Sequence, residues 1–578
     1  MREFFKKHTA ASLIVLLFAI TIVLSWIIPY SSFNGAELVK AERTYVGFSD
    51  LATIFTTSIN FIIDKIVFLL ALGAFYAVLS RTAGYKKVVS NIVGLFKGNE
   101  EFPVIFVSVV TTLLASLLSQ SFVVLIFIPF FISIFRNLGI NKTTTFAATF
   151  GAMLVGILGA TYGYEGLTTF DAYFSQSLTG KTAMKMTLGY RSIILFVGLA
   201  LYNFFLAFAV NKSVKNKDKN EAIEEEYAID TKEDKKAAIF PVVIVMFITA
   251  IISILGFIDW SGMFNINIFN DFHEWLVGLK FGKDFALIAN LLGRDVTALG
   301  TWNLYNISFV LVFFTILTGI LYSFKLEDFF NAVGKGVRRV LKPIGAVVAV
   351  YAIFVASYMT GIVPKMANDI MKTNAKPEYN IDYNGSQIAF FNVDIDGDKK
   401  ADTNLINQDI DSDGKCDLNC DTNKDGYPDS KLDFNADGIV NETDENIIQQ
   451  LAGGVSILNE DVDGDGIADV NVSNKFNLVK LVAGSALVDI FNNDLGYSGY
   501  SMGSYLISSC GGSHLKLTFL VFVTVFGLLQ FFVPSSIILV LGLSYSDVSL
   551  CDWLKYAWRF ILGMLCIMLL IFIFILII

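Results

Sequence analysis

The chain has 578 residues, of which 54% are hydrophobic and only 16% charged, and its mean hydropathy is +0.60. A soluble domain of that size has no interior large enough for so much apolar surface. Runs of about twenty apolar residues recur instead, which fit helices crossing a bilayer and not the shorter, alternating strands of a membrane barrel. The net charge of −9 is local: Asn392–Val472 holds 21 acidic and five basic residues, so the remainder is net basic, which suits anionic lipid and gives no sign of nucleic-acid binding.

Arg2, Lys6 and Lys7 precede the apolar run Thr9–Tyr30. The run is too long for the apolar core of a signal peptide and closes on Trp26-Ile27-Ile28-Pro29 without a small-residue cleavage site, so it reads as a retained first span with a cytoplasmic N-terminus. Phe48–Phe61 is amphipathic and interfacial. Spans follow at Ile62–Arg81, Thr143–Tyr162, Tyr190–Val210, Ala238–Phe257, Asn306–Phe324, Pro343–Val363, Leu515–Leu543 and Trp553–Ile577, with a second interfacial stretch at Leu326–Leu341. Asp64, beside Lys65, reads as an interfacial anchor, and Glu165 faces either a pathway or the outer surface. Basic residues gather in Arg81–Lys97, in the linker Asn211–Lys236 and in Lys325–Lys342, which places those segments inside.

Two apolar segments do not fit as single crossings. Pro103–Ile134 is interrupted at Ser119-Gln120-Ser121 and has Lys97 before it and Arg136 and Lys142 after it; both ends point inward, so it is expected to enter and return as a hairpin. Phe476–Ser508, interrupted at Asn492-Asn493-Asp494, follows an outward-running span and is expected to open outward. The two halves thus show the same order in opposite orientation: span, interfacial stretch, span, hairpin, broken span, closing span. The expected fold is an all-α polytopic membrane protein with inverted repeats, two re-entrant hairpins and broken helices, plus a small loop-rich calcium-binding extracellular insert. The expected units are a first repeat at 1–211, a cytoplasmic linker at 212–237, a connecting helix and outer interfacial segment at 238–304, the second repeat at 305–375 and 475–578, and the Asp-rich insert at 376–474.

Inverted repeats with discontinuous helices are the architecture of secondary transporters, and their breaks mark the binding site. Freed main-chain groups at a break must line a cavity, because lipid cannot satisfy them. The expected substrate or ion site is built from four breaks: Ser119, Gln120 and Ser121; Gly159, Ala160 and Thr161; Asn492, Asn493 and Asp494; and Pro534, Ser535 and Ser536. A single Ser or Thr more simply bonds within its own helix; four breaks at matched positions argue against that reading. Asp489 and Asp494 are carboxylates in an apolar setting, where an ionisable group points to function, and Asp494, at the hairpin tip, is the stronger candidate for holding sodium or a proton.

Several strings resemble a known family. Ser25-Trp26-Ile27-Ile28-Pro29, Gly73-Ala74-Phe75-Tyr76 with Thr82-Ala83-Gly84, Phe150-Gly151 through Gly159-Ala160-Thr161, and Val533-Pro534-Ser535-Ser536 with Gly542-Leu543-Ser544-Tyr545 and Trp553-Leu554-Lys555-Tyr556 resemble YfcC-type carriers. Those carriers belong to the ion transporter superfamily, with the C4-dicarboxylate and aminobenzoyl-glutamate transporters. The resemblance implies an elevator-type carrier driven by a sodium or proton gradient, with the hairpin tips at its site. Ser-Gln-Ser at the first tip and Thr161-Tyr162-Gly163 after the first break depart from the family pattern.

The insert carries oxygen ligands at alternating positions in five loops: Asp394, Asp396, Asp398 and Asp402; Asp409, Asp411, Asp413 and Asp417; Asp421, Asn423, Asp425 and Asp429; Asp433, Asn435, Asp437 and Asn441; and Asp461, Asp463, Asp465 and Asp469. Gly414, Gly426, Gly438 and Gly466 fill the sixth position, where the loop turns sharply. The fourth loop adds Ile439 at the seventh position and Asp444 at the twelfth, and resembles a dockerin loop; the others resemble thrombospondin type 3 repeats. A disordered acidic linker would show no such period, so bound Ca2+ is expected, and it would supply the insert's folding energy. Cys416 and Cys420 lie within reach of one another for a disulfide.

The expected function is a secondary carrier of a small polar or anionic solute (a carboxylate or amino-acid-like molecule), in the inner membrane, coupled to Na+ or H+. Its partners are a small-molecule substrate and the bilayer, and a homodimer is compatible with the sequence. A calcium-dependent membrane-anchored surface receptor or adhesion protein is the alternative, but an anchor needs one span. An enzyme is not expected: His8, His273 and His514 do not cluster with Cys or Glu.

Overall fold

The computed structural model describes residues 9–34, 37–40, 45–163, 166–175, 182–216, 223–224, 227, 238–281, 285–293, 296–372, 392–393, 403–404, 414–417, 420, 422, 457–458, 476–510 and 514–577. It is almost entirely helical. α1 (Thr9–Ile27) ends before Pro29 and is followed by a hairpin of β1 (Ser31–Asn34) and β2 (Glu37–Lys40). α2 (Asp50–Phe61) and α3 (Ile63–Leu79) meet at a 62° bend, and α4 (Ala83–Phe96), capped by the Thr82 hydroxyl, meets α5 (Glu101–Leu117) at 117°. Leu118–Gln120 is extended before a 3-10 turn, Ser121–Ile126, and α6 (Ile128–Asn137). α7 (Lys142–Leu158), capped by Asn141 and carrying one π turn, stops at Gly159; α8 (Leu167–Phe174) and α9 (Ala183–Lys215) complete the first half.

α10 (Phe240–Phe257) connects the halves. Three short helices, α11 (Trp260–Phe264), α12 (Ile268–Gly278) and α13 (Leu287–Leu292), follow it, with the two-residue strands β3 (Lys280–Phe281) and β4 (Phe285–Ala286) before α13. The second half runs α14 (Leu304–Leu321), α15 (Leu326–Thr360), α16 (Ile362–Met371), α17 (Leu478–Phe491), α18 (Leu495–Cys510), α19 (Leu515–Leu529), α20 (Ile537–Ser546) and α21 (Leu550–Ile577). Three short strands, β5 to β7, pair within the insert at Asn392–Val393, Thr403–Asn404 and Ile457–Leu458.

One expectation is corrected. Leu326–Leu341 is not a separate interfacial helix: with the following span it forms one helix of 35 residues, α15, through Pro343. The matching place in the first half turns at Ile62 (φ −120°, ψ 18°), whereas α15 meets no left-handed residue until Gly361 (φ 55°) ends it. Proline removes one helical hydrogen bond but does not itself stop a helix whose faces are packed.

α15 also measures the molecule. It runs antiparallel to α3 along its whole length: Phe61 packs on Phe354, a Cβ on Gly73 would lie 2.7 Å from the Gly336 carbonyl oxygen, and Arg81 donates to the Asp328 carbonyl at 3.1 Å. The closing end of the first hairpin lies near the N-terminal half of α15. Asn137, closing α6, donates to the Tyr227 carbonyl at 2.7 Å, and the guanidinium of Arg339 stacks on the Tyr227 ring. Glu101, opening α5, accepts from Asn211 near the end of α9 at 3.0 Å. The second hairpin closes at the other end: the rings of Phe476 and His514, its flanking residues, lie 4.3 Å apart at a tilt of 44°, and α16, which follows α15, packs along α17. Thirty-five helical residues rise about 50 Å, so the hairpins open at opposite ends, as inverted repeats require.

The core sits around the two broken helices. From Thr144 to Leu158 every residue of α7 is buried, and in α19 only Lys516 is exposed. The peripheral helices instead leave large apolar side chains uncovered, among them Phe196 and Phe208 on α9, Phe247 on α10, Phe309 on α14 and Phe574 on α21. Such faces are stable only against lipid. The chain is therefore a multi-pass membrane protein.

Candidate functional site

Each half stitches its hairpin to its broken helix. In the first, α5 and α7 lie side by side and in register: Thr112 Oγ1 donates to the Ala152 carbonyl at 2.9 Å and Ser116 Oγ to the Gly159 carbonyl at 3.1 Å. The Ser116 carbonyl accepts from the main-chain N–H groups of Thr161, Tyr162 and Gly163, and its hydroxyl lies 3.0 Å from Thr161 Oγ1. A Cβ on Gly159 would lie 2.5 Å from Leu195 Cα, so only glycine lets α9 approach the break. The Ala160 and Thr161 carbonyls point at Arg191 on α9, whose fully buried guanidinium donates to both and also to the Met184 carbonyl and the Thr187 hydroxyl. This cation neutralises the negative end of α7. Met184 N–H donates to Asp171 Oδ1 on α8 at 2.7 Å, so one residue, through its N–H and its carbonyl, bridges two buried charges.

In the second half Ser535 Oγ reaches the main-chain oxygen of Asp489 at 3.5 Å, Ser536 caps α20 by accepting from Leu539 N–H at 3.3 Å, and Trp553 Nε1 donates to the Phe531 carbonyl at 2.7 Å. Asn492 Nδ2 donates to Ser498 Oγ at 2.7 Å and its oxygen accepts from Asp494 N–H. Pro534 precedes the cap and is half-buried.

The halves meet through the second tip. A Cβ on Gly166, at the start of α8, would lie 2.6 Å from Gly496 N and 3.5 Å from Asp494 Oδ1, and a Cβ on Gly527 of α19 would lie 2.5 Å from Leu158 Cα. The sequence-derived residues therefore form a chain: first tip, first break, second tip, second break. Among the described residues no hydrogen bond joins Ser119, Gln120 or Ser121 to the second half. Ser119 N–H instead donates to the Phe257 carbonyl at 2.8 Å, and Ser121 is buried at the start of its 3-10 turn.

Among the described residues with buried side-chain atoms that lack a hydrogen bond, three lie at or beside the hairpin tips. Gln120 Oε1, both amide atoms of Asn493 and both carboxylate oxygens of Asp489 are buried without a hydrogen bond among the described residues. Buried polar groups are otherwise almost always paired, so an orphan calls for water or a ligand. This corrects the ranking of the two aspartates. Asp494 Oδ1 accepts from Tyr497 N–H at 3.1 Å, so it caps α18, whereas the 1% exposed Asp489 is the unexplained charge. Lys65, beside the expected anchor Asp64, is a buried cation, 3.6 Å from Asp64 and 5.7 Å over the Phe122 ring just past the first tip. Glu165 lies outside the described residues.

A crevice of about 640 Å³ lies between α1, α15, α20 and α21, lined by Ala346, Ser544 and Asp547 among others, and one of about 900 Å³ lies between α7, α9 and α21, lined by Thr144, Phe204 and Tyr556 among others; neither is lined by any of the four breaks. In the insert, Cys416 and Cys420 are joined as a disulfide. Of the expected calcium ligands only Asp417 falls among the described residues, so the rest of the set lies outside them.

Residues 8–373 match the family model of the C4-dicarboxylate anaerobic carrier, DcuC. The chain belongs to that family. Membership makes it a membrane carrier and not an enzyme, and the match stops where the Asp-rich insert begins. No curated protein matches the DcuC-family chain. A crystal structure of the YdaH transporter of Alcanivorax borkumensis, described as having an unusual topology, is similar at 11% identity with a TM-score of 0.34, over 97% of this chain and 96% of that one. That superposition is too loose to bear on the site.

Sequence reasoning missed Arg191, Ser116 and Asp171. Arg191 carried a usable signal, an arginine inside an apolar span; Ser116 carried none, since Ser108, Thr111 and Thr112 precede it on the same helix.

Proposed function

We propose that this DcuC-family protein carries small dicarboxylates, of the four-carbon class its family is named for, coupled to a sodium or proton gradient. The supporting observation is at the two tips: the amide nitrogen and oxygen of Asn493 both lack a hydrogen bond among the described residues, and Gln120 presents a second amide at the first tip, its oxygen likewise unpartnered. Amide side chains donate to carboxylate oxygens without a formal charge of their own, and a solute with a carboxylate at each end would engage one from each hairpin. Lys65 beside the first tip adds a positive charge, and the N-termini of α8 and α20 add positive dipole ends. The N-terminus and the 212–237 linker lie in the cytoplasm in this reading, the insert outside, and a homodimer remains part of the proposal.

The test is uptake of labelled succinate into proteoliposomes. Gln120→Ala and Asn493→Ala should each raise KM by about ten- to a hundredfold, the loss of one or two charge-assisted hydrogen bonds, with insertion and melting temperature unchanged. Uptake by wild type that ignores dicarboxylates, or variants with unaltered KM, would refute it. For the insert, the spacing of its acidic residues supports calcium binding, and calorimetric titration of the purified chain with Ca2+, before and after removal of 376–474, tests it; equal heats would reject it.

A further inference from the structure

We infer that Asp489 is the proton-carrying group of this carrier, protonated when the second hairpin moves with substrate and ionised between substrates. The inference rests on the dicarboxylate reading and names the coupling ion and its seat. Asp489 stands three residues before the second tip, the place that Ser116 holds before the first. Ser116 uses its side chain to bind hairpin to break; at Asp489 only the main-chain oxygen does so, through Ser535, and among the described residues the carboxylate has no hydrogen bond. A serine equivalent would serve the fold, so the carboxylate is there for something other than the stitch.

Among the described residues the surroundings supply nothing that holds a charge. On its own helix Lys480 is committed to the Lys372 carbonyl. On α16, Lys365 and Asp369 pair with one another. Lys516 is exposed in the first turn of α19. The titratable groups of α15 and α18 on this side are tyrosines, with Tyr358 and Tyr497 packed edge-to-face. An ionised carboxylate buried without counter-charge is strongly disfavoured in such a site, and among the described residues no cluster of three or more acidic, histidine or cysteine side chains gathers around it as a metal cation would draw. A proton needs only the carboxylate. The step balances simply: Asp489 takes one proton from water on the loading side, crosses neutral with the dicarboxylate, and returns that proton to water on the other side.

Proteoliposomes loaded with succinate separate the parts. Wild type and Asp489→Asn should both exchange internal for external succinate. An inward gradient of one pH unit should raise accumulation by about tenfold in wild type, the factor for one proton per substrate, and by nothing in D489N; Asp489→Glu should restore part of the response. Infrared spectra at neutral pH should show the C=O stretch of a protonated carboxylic acid in wild type and lack it in D489N, whichever substrate is carried. Absence of exchange in wild type would remove the dicarboxylate reading alone. A tenfold pH response retained by D489N, accumulation answering only to sodium, or no carboxylic-acid band in wild type would overturn the assignment of Asp489.

Discussion

Arg191 shows how much of this site is held by a residue that never meets solvent. Its four hydrogen bonds leave the broken end of α7 with paired carbonyls, and its charge answers the dipole there. Arg191→Met keeps the length of the side chain and removes every donor, so it should cost about 2–5 kcal/mol of stability, read as a lowered melting temperature of the purified protein. Arg191→Lys, a point charge without a planar fork, should recover only part; equal melting of all three would refute the role. The break residues themselves were legible because Gln120, Thr161, Asn493 and Ser535 interrupt apolar text. Arg191 carried a signal too, an arginine within an apolar span, but one residue after Tyr190 at the start of that span a cation reads more readily as a flank. The order of Asp489 and Asp494 was illegible: only three-dimensional structure shows that one caps α18 and that the buried carboxylate of the other has no hydrogen bond among the described residues.

Among the elements, hairpins and broken helices followed from apolar runs too long for one crossing and from the basic residues at their ends. The unbroken α15 did not follow, since a proline after an amphipathic stretch reads as a boundary whether or not packing overrides it. The linker after α9 also hid an element-level role. Burial alone would raise the pKa of Glu224, but its own main-chain N–H, Arg136 of α6 and Lys142 of α7 outweigh it and hold the carboxyl below the usual glutamate range. Three residues on, Tyr227 stacks under Arg339 of α15 and its carbonyl accepts from Asn137. This segment clasps hairpin, broken helix and α15 together. A folded-state pKa below the unfolded one gives stability that is complete above the unfolded value, about 4.3, and lost as pH falls through the folded one. With the carboxylate partly exposed the contribution is about 1 kcal/mol or less. Wild type should therefore melt a few degrees above Glu224→Gln at pH 7 and converge with it below pH ~4; a constant gap down to acid pH would contradict the clasp.

At the scale of the whole molecule the two halves differ most where the chain joins α16 to α17. The first half makes the matching connection, α4 to α5, with Lys97, Gly98, Asn99 and Glu100 alone. The second half places the Asp-rich insert there, and the family match ends at the same point. The two ends of the insert nevertheless stay together: Lys480 Nζ donates to the Lys372 carbonyl at 2.7 Å, and α16 packs on α17 beyond them. A segment whose ends already meet adds no strain when it is present and leaves no gap when it is removed, because the cost of loop closure changes only slowly with length. The inverted order was legible from the sequence because this addition interrupts neither hairpin. Replacing residues 373–475 by a copy of Lys97–Glu100 should thus give a carrier that inserts, melts within a few degrees of wild type and takes up succinate at an unchanged rate, while any effect of external calcium on uptake disappears. Loss of uptake in a variant that still melts cooperatively would show instead that the insert acts on the second hairpin, whose first helix begins two residues after it, and that the acidic loops belong to the transport cycle itself.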